Sequence, residues 1–186
     1  MIPCAIALGS NLGDRAANLN AALTLLATHP HIVLKAVSAW YQTRAIAPDG
    51  QAAPQPDYWN GCALLATDLP PLGLLQVLLG IERKLGRERH APWAPRTLDL
   101  DLLLYGDRHI QEPELMVPHP RLHHRAFVLQ PLCDLAPDWK HPVLQKTIWE
   151  LAQAPTDADV TQPLRIGTAG NPAYPTPRPP IIQNSA

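Results

Sequence analysis

Two aspartates separated by one residue, Asp99 and Asp101, have the type and spacing that most directly suggest chemistry. On a β-strand successive side chains point to opposite faces, so both carboxylates project from one face while Leu98, Leu100 and Leu102 cover the other. Neighbouring carboxylates in an apolar setting repel each other, and burial disfavours their charged forms unless cations lie between them. Mg²⁺ binds one or two carboxylates together with substrate phosphates, so the pair predicts a site for two Mg²⁺ ions.

Basic residues precede and follow the aspartate pair. Arg87, Arg89 and Arg96 come shortly before it, and residues 118–125 supply a second basic group after it. Arginine forks match phosphate oxygens in a bidentate manner, so basic loops beside a carboxylate pair suit a polyphosphate. The alternative for the aspartate pair and for the basic residues is an ordinary solvent-exposed surface. Charged residues alternate with apolar ones in half-exposed sheets.

Two further features have weaker chemical interpretations. The turn Gly9-Ser10-Asn11 lies between a predicted strand and a predicted helix, where free backbone N–H groups can bind an anion. The same residue types also occur in such turns for geometric reasons alone. His119, His123 and His124 could bind zinc instead, but no Cys or carboxylate completes a tetrahedral set at the usual spacing.

The hydrophobic pattern predicts the elements that carry these residues. Long strands are predicted at 2–8, 32–43, 58–67 and 97–105, a short one near 110, and helices at 15–28, 71–85, 122–132 and 145–154. The first six elements follow the order β-α-β-β-α-β. This order predicts an α+β, ferredoxin-like antiparallel sheet with helices packed on one face, extended by extra C-terminal helices.

Composition limits the class of protein. The chain has 186 residues, of which 46% are hydrophobic and 17% charged, and a formal net charge of −1. Near-neutral charge argues against nucleic-acid binding through the whole surface, and no apolar run approaches the ~18 residues of a membrane span. The N-terminus lacks the basic region of a secretory signal, and the three separated cysteines indicate small buried residues in a reducing compartment. We therefore expect a cytoplasmic, monomeric protein that binds small molecules.

Two segments lack a periodic apolar pattern. Residues 44–57 form a long predicted loop, and loops of this length are usually functional lids or disordered. Proline accounts for 22 residues of the chain, and residues 167–186 hold five prolines with Arg178 as the single charge. We therefore predict a domain at 1–166 and an extended or disordered tail at 167–186, for which a polyproline ligand is the alternative.

Five segments together resemble 6-hydroxymethyl-7,8-dihydropterin pyrophosphokinase, an enzyme family of folate biosynthesis. They follow the family's order over most of residues 1–140 and comprise AIALGSNLGDR at 5–15, PDYWNGCALLAT at 56–67, IERKLGR at 81–87, WAPRTLDLDLLLYGD at 93–107 and VPHPRLHHRAFVLQPL at 117–132. The resemblance implies an ATP-dependent transferase. It would move a pyrophosphoryl group from ATP to the hydroxymethyl oxygen of the pterin and release AMP.

The resemblance also implies roles for individual residues. Asp99 and Asp101 would hold two Mg²⁺ ions that bridge the triphosphate of ATP, and Arg87 and Arg96 would act with them in catalysis. The implied ATP contacts are Glu82, Arg87, Arg89, Arg96, Leu102, His119 and Arg125, and the implied pterin contacts are Thr43, Ile46, Tyr58, Asn60, Trp93 and Phe127. Tyr58 and Phe127 would stack on the pterin, and Trp93 would close over it as the loops at 44–57 and 86–95 exclude water.

Two other classes of protein fit part of the pattern. A nucleotidyltransferase also combines Gly-Ser with Asp-x-Asp, but there the motifs lie close together, whereas here Ser10 and Asp99 are 89 positions apart. A non-catalytic RNA-binding module would need exposed aromatic residues on its central strands and a basic sheet face. The Leu-Asp-Leu-Asp-Leu strand offers the reverse of that surface.

Overall fold

The computed structural model describes residues 1–47, 51–87, 94–154, 156 and 163–168. The strands in these ranges are β1 (Ile2–Ser10), β2 (Ile32–Val37), β3 (Ala39–Thr43), β4 (Tyr58–Thr67), β5 (Asp99–Tyr105), β6 (Ile110–Glu112), β7 (Leu115–Val117) and β8 (Leu164–Thr168). The helices are α1 (Arg15–Ala27), α2 (Pro71–Lys84), α3 (Ala126–Leu135) and α4 (Ile148–Ala152), with a short 3₁₀ helix at Leu122–His124. None of the described helices is long and apolar enough to cross a bilayer.

Local signals explain where the first two helices begin and end. The Asp14 carboxylate caps α1 by accepting a hydrogen bond of 3.0 Å from the N–H of Ala17. Pro71 occupies the first turn of α2, where its missing N–H costs no helical bond. Gly86 follows α2 with φ of 79°, a left-handed conformation that glycine adopts without strain.

The main sheet places β1 in the centre, between β5 and β4. Its strand order is β5-β1-β4-β3-β8, with β2 also paired to β4, and every pairing is antiparallel. The strand predicted at 32–43 is divided at Ser38, whose N–H donates to the carbonyl of Cys62 and whose hydroxyl accepts from the Cys62 N–H. Both halves, β2 and β3, therefore remain attached to β4.

Helices cover both faces of the sheet, whereas the sequence predicted helices on one face. Helices α1 and α2 pack on the first face, where Leu100 and Leu102 of β5, and Leu98 just before it, join their core. Helices α3 and α4 pack on the second face against Ala5 of β1 and Leu103 of β5. The second layer forms because β1 and β5 are apolar on both faces at one end, and such strands need cover on both sides.

Residues 163–168 extend the sheet beyond the predicted elements. Strand β8 pairs with β3 and contains Gly167 and Thr168, the first two residues of the segment predicted to be a tail. The remainder of that segment, 169–186, lies outside the described residues.

Candidate active site

Three adjacent strands bring the candidate residues together on the second face of the sheet. Gly9 in β1 pairs with Asn60 of β4 on one side and with Asp99 of β5 on the other. Directly opposite residues of an antiparallel pair point to the same face. Two residues earlier, Ala7 pairs with Asp101 in the same way. Small residues of β1 thus form a floor with the carboxylates on one side and Asn60 on the other.

A cavity of about 630 Å³ opens above this floor. Many of the residues predicted from the sequence line it, namely Thr43, Ile46, Tyr58, Asn60, Arg96, Asp99, Asp101, Arg125 and Phe127. Small-molecule sites are typically concave, with apolar walls and a few convergent polar groups, and this cavity has that character.

Two arginines from outside β5 neutralise Asp99. The Oδ1 atom of Asp99 lies 2.6 Å from Nη1 of Arg87, and its Oδ2 atom lies 2.7 Å from Nη1 of Arg96. Arg87 also pairs with Glu82 of α2, whose Oε1 accepts a 2.8 Å hydrogen bond from the N–H of Leu100. Burial raises the pKa of Glu82, and the Leu100 N–H and Arg87 oppose that rise. Glu82 therefore joins α2 to β5 and orients Arg87 towards Asp99.

Asp101 has more distant cationic neighbours than Asp99. Its Oδ2 atom lies 3.8 Å from both Nη1 of Arg125 and Nε2 of His119. Burial in the cavity wall, followed by the charge of Asp99, raises the pKa of Asp101 to about 6, against the opposing effect of Arg125 and other arginines. The side chain still exposes 37% of its surface to the cavity. A cation entering the cavity can reach this carboxylate and would stabilise its charged form.

His119 approaches the carboxylates as a neutral ring. Burial, together with the charges of Arg125 and Arg121, lowers the pKa of His119 to about 4. Its Nδ1 atom accepts a 3.1 Å hydrogen bond from the N–H of Arg121, so the proton of the neutral ring lies on Nε2. This assignment directs an N–H donor towards Asp101.

The opposite side of the floor carries aromatic and amide groups. Asn60 and Thr43 are buried, and Nδ2 of Asn60 donates a 2.7 Å hydrogen bond to Oγ1 of Thr43. Tyr58 lines the same side, and Phe127 reaches the cavity from the first turn of α3. The guanidinium of Arg125 lies 5.4 Å from the centre of the Phe127 ring. Ring faces beside an amide suit a flat heterocycle.

Asn11 supports the site through hydrogen bonds that the sequence did not reveal. Its Oδ1 accepts a 2.7 Å hydrogen bond from the N–H of Arg96, and its own N–H donates a 3.0 Å bond to the Arg96 carbonyl. Its Nδ2 donates to the carbonyl of Pro56 at 3.2 Å. The Gly-Ser-Asn turn therefore holds the chain at Arg96 and the chain leading to Tyr58. The available signal was the amide itself, because a buried Asn needs protein partners.

Several predicted site residues do not line the main cavity. Glu82 and Arg87 lie behind Asp99, His119 lies beside a smaller neighbouring cavity, and the side chain of Leu102 is buried in the core on the first face. Arg89 and Trp93 lie outside the described residues. Within the described part of the chain, no three His, Cys, Asp or Glu side chains are arranged to hold a metal ion.

The cavity thus combines carboxylates and arginines, which suit a phosphorylated ligand, with ring faces and an amide, which suit a flat heterocycle. The model of the family 7,8-dihydro-6-hydroxymethylpterin-pyrophosphokinase (HPPK) matches residues 5–137. The chain is 47% identical over 148 residues to a 2-amino-4-hydroxy-6-hydroxymethyldihydropteridine pyrophosphokinase of Synechocystis sp., covering 80% of this chain and 73% of the relative. It is 47% identical over 137 residues to the enzyme of that name from Pseudomonas aeruginosa, covering 74% and 82%.

The chain belongs to the HPPK family, which confirms the resemblance found in the sequence. Its reaction is the transfer of pyrophosphate from ATP to hydroxymethyldihydropterin in folate biosynthesis. Among solved structures, HPPK-DHPS of Plasmodium falciparum matches with a TM-score of 0.62 at 18% identity, over 82% of this chain and 43% of that one. A second HPPK-DHPS structure gives a TM-score of 0.64 at 13% identity over 81% and 42%. These two matches show a shared fold, and this chain spans less than half of either protein.

Proposed function

We propose that this chain transfers pyrophosphate by binding ATP with Mg²⁺ on the β5 side of the cavity and the pterin on the β4 side. The observation that carries the proposal is the row Asp99–Gly9–Asn60, in which one small residue separates a carboxylate from an amide. Both sides open into the same cavity, so the acceptor oxygen and the phosphate chain can meet above β1.

The two carboxylates fit Mg²⁺. They project from one face of β5, and burial followed by the charge of Asp99 raises the pKa of Asp101, an effect that a bound cation would offset. Two carboxylates on one strand match the preference of Mg²⁺ for few carboxylates plus phosphate oxygens and water. When bound, two Mg²⁺ ions would neutralise the triphosphate and act as Lewis acids at the transferred group.

The basic residues would bind the phosphates. Arg87 and Arg96 contact Asp99, and their guanidinium groups would turn from that carboxylate to phosphate oxygens when ATP binds. Arg125 and the Nε2–H of His119 would complete this side, and Glu82 would keep Arg87 in place. The contact of ATP with Arg89 stays a prediction, whereas the side chain of Leu102 packs in the core on the other face of β5 and is not proposed as an ATP contact. Catalysis would then consist mainly of positioning and charge stabilisation.

The aromatic side would bind the pterin. Tyr58 and Phe127 would stack on the ring, and Asn60 with Thr43 would bind its polar edge. Ile46 contributes an apolar wall from the loop that follows β3, where the N–H of Ala53 donates to the carbonyl of Ala45 at 2.8 Å. Closure by Trp93 stays a prediction. Exclusion of water would protect ATP from hydrolysis.

We also infer the finer description of the fold. The order β5-β1-β4-β2 with antiparallel pairing, and helices α1 and α2 as the crossovers, supports a ferredoxin-like core to which β3, β8, α3 and α4 are added. A catalytic domain that includes β8 to its end at Thr168, a monomeric state and a cytoplasmic location complete the proposal, and the tail predicted beyond β8 stays a prediction.

A product assay with carboxylate variants tests this function. With Mg²⁺, ATP and the hydroxymethyl dihydropterin, the protein should release AMP, and formation of ADP would contradict pyrophosphoryl transfer. Asp99→Ala and Asp101→Ala should each lower kcat by roughly 10²–10⁴-fold, because each removes a proposed metal ligand. Asp107→Ala is the matched control, since Asp107 is exposed in the turn after β5 and should leave turnover unchanged. Circular dichroism should show that all three variants are folded.

A further inference from the structure

Gly9 stands at the centre of the row that joins the two halves of the site. A Cβ atom placed on its main chain would lie 3.0 Å from Oδ1 of Asn60, 3.7 Å from Cδ1 of Tyr58 and 3.9 Å from Cβ of Asp99. The last two distances are ordinary van der Waals contacts, and the first is too short for one. A side chain at Gly9 would therefore make one unfavourably short contact among these three, with the carboxamide oxygen of Asn60.

The carboxamide of Asn60 has little room to move away. Asn60 exposes 7% of its surface, and its Nδ2 is held by the 2.7 Å hydrogen bond to Oγ1 of Thr43, which exposes 4%. Displacing the oxygen by a few tenths of an ångström would strain or break that buried bond. Loss of a buried hydrogen bond leaves two polar groups without their partners, which is costly.

We infer that Gly9 is a positioning residue for pterin recognition, because its missing side chain lets the Asn60 carboxamide lie against β1 while bonded to Thr43. This inference rests on the proposed role of Asn60 and Thr43 in pterin binding. Glycine is needed here for space, since Gly9 continues the regular pairing of β1 with β4 and β5. The nucleotide side is affected less, because Asp99 keeps an ordinary distance from the added atom.

Steady-state kinetics of Gly9→Ala separate the two substrates. We expect KM for the pterin to rise by about tenfold, as for loss of one well-placed hydrogen bond, and KM for ATP to stay within about twofold. Gly80→Ala is the matched control, because a Cβ at Gly80 in α2 has no neighbour within 4 Å. That variant should change neither KM. An equal rise of both KM values in Gly9→Ala, or an unchanged pterin KM, would overturn the inference.

A double-mutant cycle identifies the atom responsible. In an Asn60→Ala background the carboxamide oxygen is absent, so Gly9→Ala should then change the pterin KM by less than about twofold. Full additivity of the two changes would contradict the inference. If Asn60→Ala alone leaves the pterin KM unchanged, the proposed function of Asn60 fails and the steric argument about Gly9 is left without a functional role.

Folding supplies a second readout. Should Gly9→Ala fail to fold, as judged by circular dichroism and ATP binding, the double variant with Asn60→Ala should recover a folded protein, because the short contact is gone. A double variant that is as unfolded as Gly9→Ala would show that the clash lies elsewhere in the chain and would overturn the inference.

Discussion

The two faces of the sheet at β5 differ in polarity and in burial. On the first face Leu98, Leu100 and Leu102 are buried beneath α1 and α2. On the second face Asp99 and Asp101 open into a cavity, and the helix α3 covers that face only from Leu103 onward. Over residues 98–102 the chain thus stabilises the fold with its even positions and holds charge with its odd ones. Rigid packing behind a strand lets the exposed face hold groups that are individually unfavourable.

The largest change in stability should come from the apolar face. Leu98 is fully buried, so Leu98→Ala should lower the free energy of unfolding by about 3 kcal/mol through lost burial and the cavity left behind. Urea denaturation measures this change. Leu72→Ala is the control, because Leu72 is 36% exposed on α2 and its truncation should cost less than about 1 kcal/mol. Equal losses at the two leucines would remove the distinction between the faces.

A smaller loss of stability is expected from a substitution at Asn11, which follows directly after β1. Asn11→Ala leaves the partly buried N–H of Arg96 without its acceptor and removes the bond to the Pro56 carbonyl, which should lower the free energy of unfolding by about 2 kcal/mol and raise KM for ATP. Thermal unfolding and initial rates measure the two effects. Asn20→Ala, at an exposed position of α1, should not destabilise the protein. A variant at Asn11 with normal stability would show that the hydrogen bonds there are dispensable.

The smallest effect should be a gain in stability when Asp101, on the charged face, loses its charge. Because the pKa of Asp101 is raised to about 6 from an ordinary value near 4, the folded state loses stability as pH rises from about 4 through 6. Asp101→Asn removes that loss, so it should stabilise the unliganded protein at pH 7.5 and have no such effect at pH 4. The gain should be about 1 kcal/mol, discounted for the 37% exposure of the side chain.

Thermal melts at the two pH values decide the question at Asp101. The exposed control Asp107→Asn should show no pH-dependent gain. Destabilisation by Asp101→Asn at pH 7.5 would mean that Arg125 and His119 stabilise the charged carboxylate more than burial opposes it. The charged carboxylate would then contribute to the stability of the folded state, as the buried leucines on the other face do.

Much of this organisation was predictable from local patterns. Strand β4 occupies the predicted range 58–67, and α1 and α2 follow their caps and apolar spacing because those signals are local. The common face of Asp99 and Asp101 follows from the two-residue period of a strand. Membership of the HPPK family followed from motif order, and it is confirmed.

Features that depend on pairing between distant segments were not predictable. The break at Ser38 and the attachment of β8 to β3 arise from hydrogen bonds between main chains that carry no side-chain pattern. The placement of α3 on the second face depends on which end of β1 and β5 is apolar on both sides. The hydrogen bond from the Arg96 N–H to Asn11 and the ion pair of Glu82 with Arg87 could likewise be identified only in the three-dimensional structure.

Anchoring of the main chain at Arg96 affects how fast the side chain of this residue can leave Asp99. Because Asn11 holds both the N–H and the carbonyl of that residue, the guanidinium can leave Asp99 by rotation about side-chain bonds while the backbone stays still. Rotamer changes take picoseconds to nanoseconds, whereas loop rearrangements take nanoseconds to microseconds. The handover proposed for this arginine, from carboxylate to nucleotide, would therefore be a fast local event that need not wait for any larger segment.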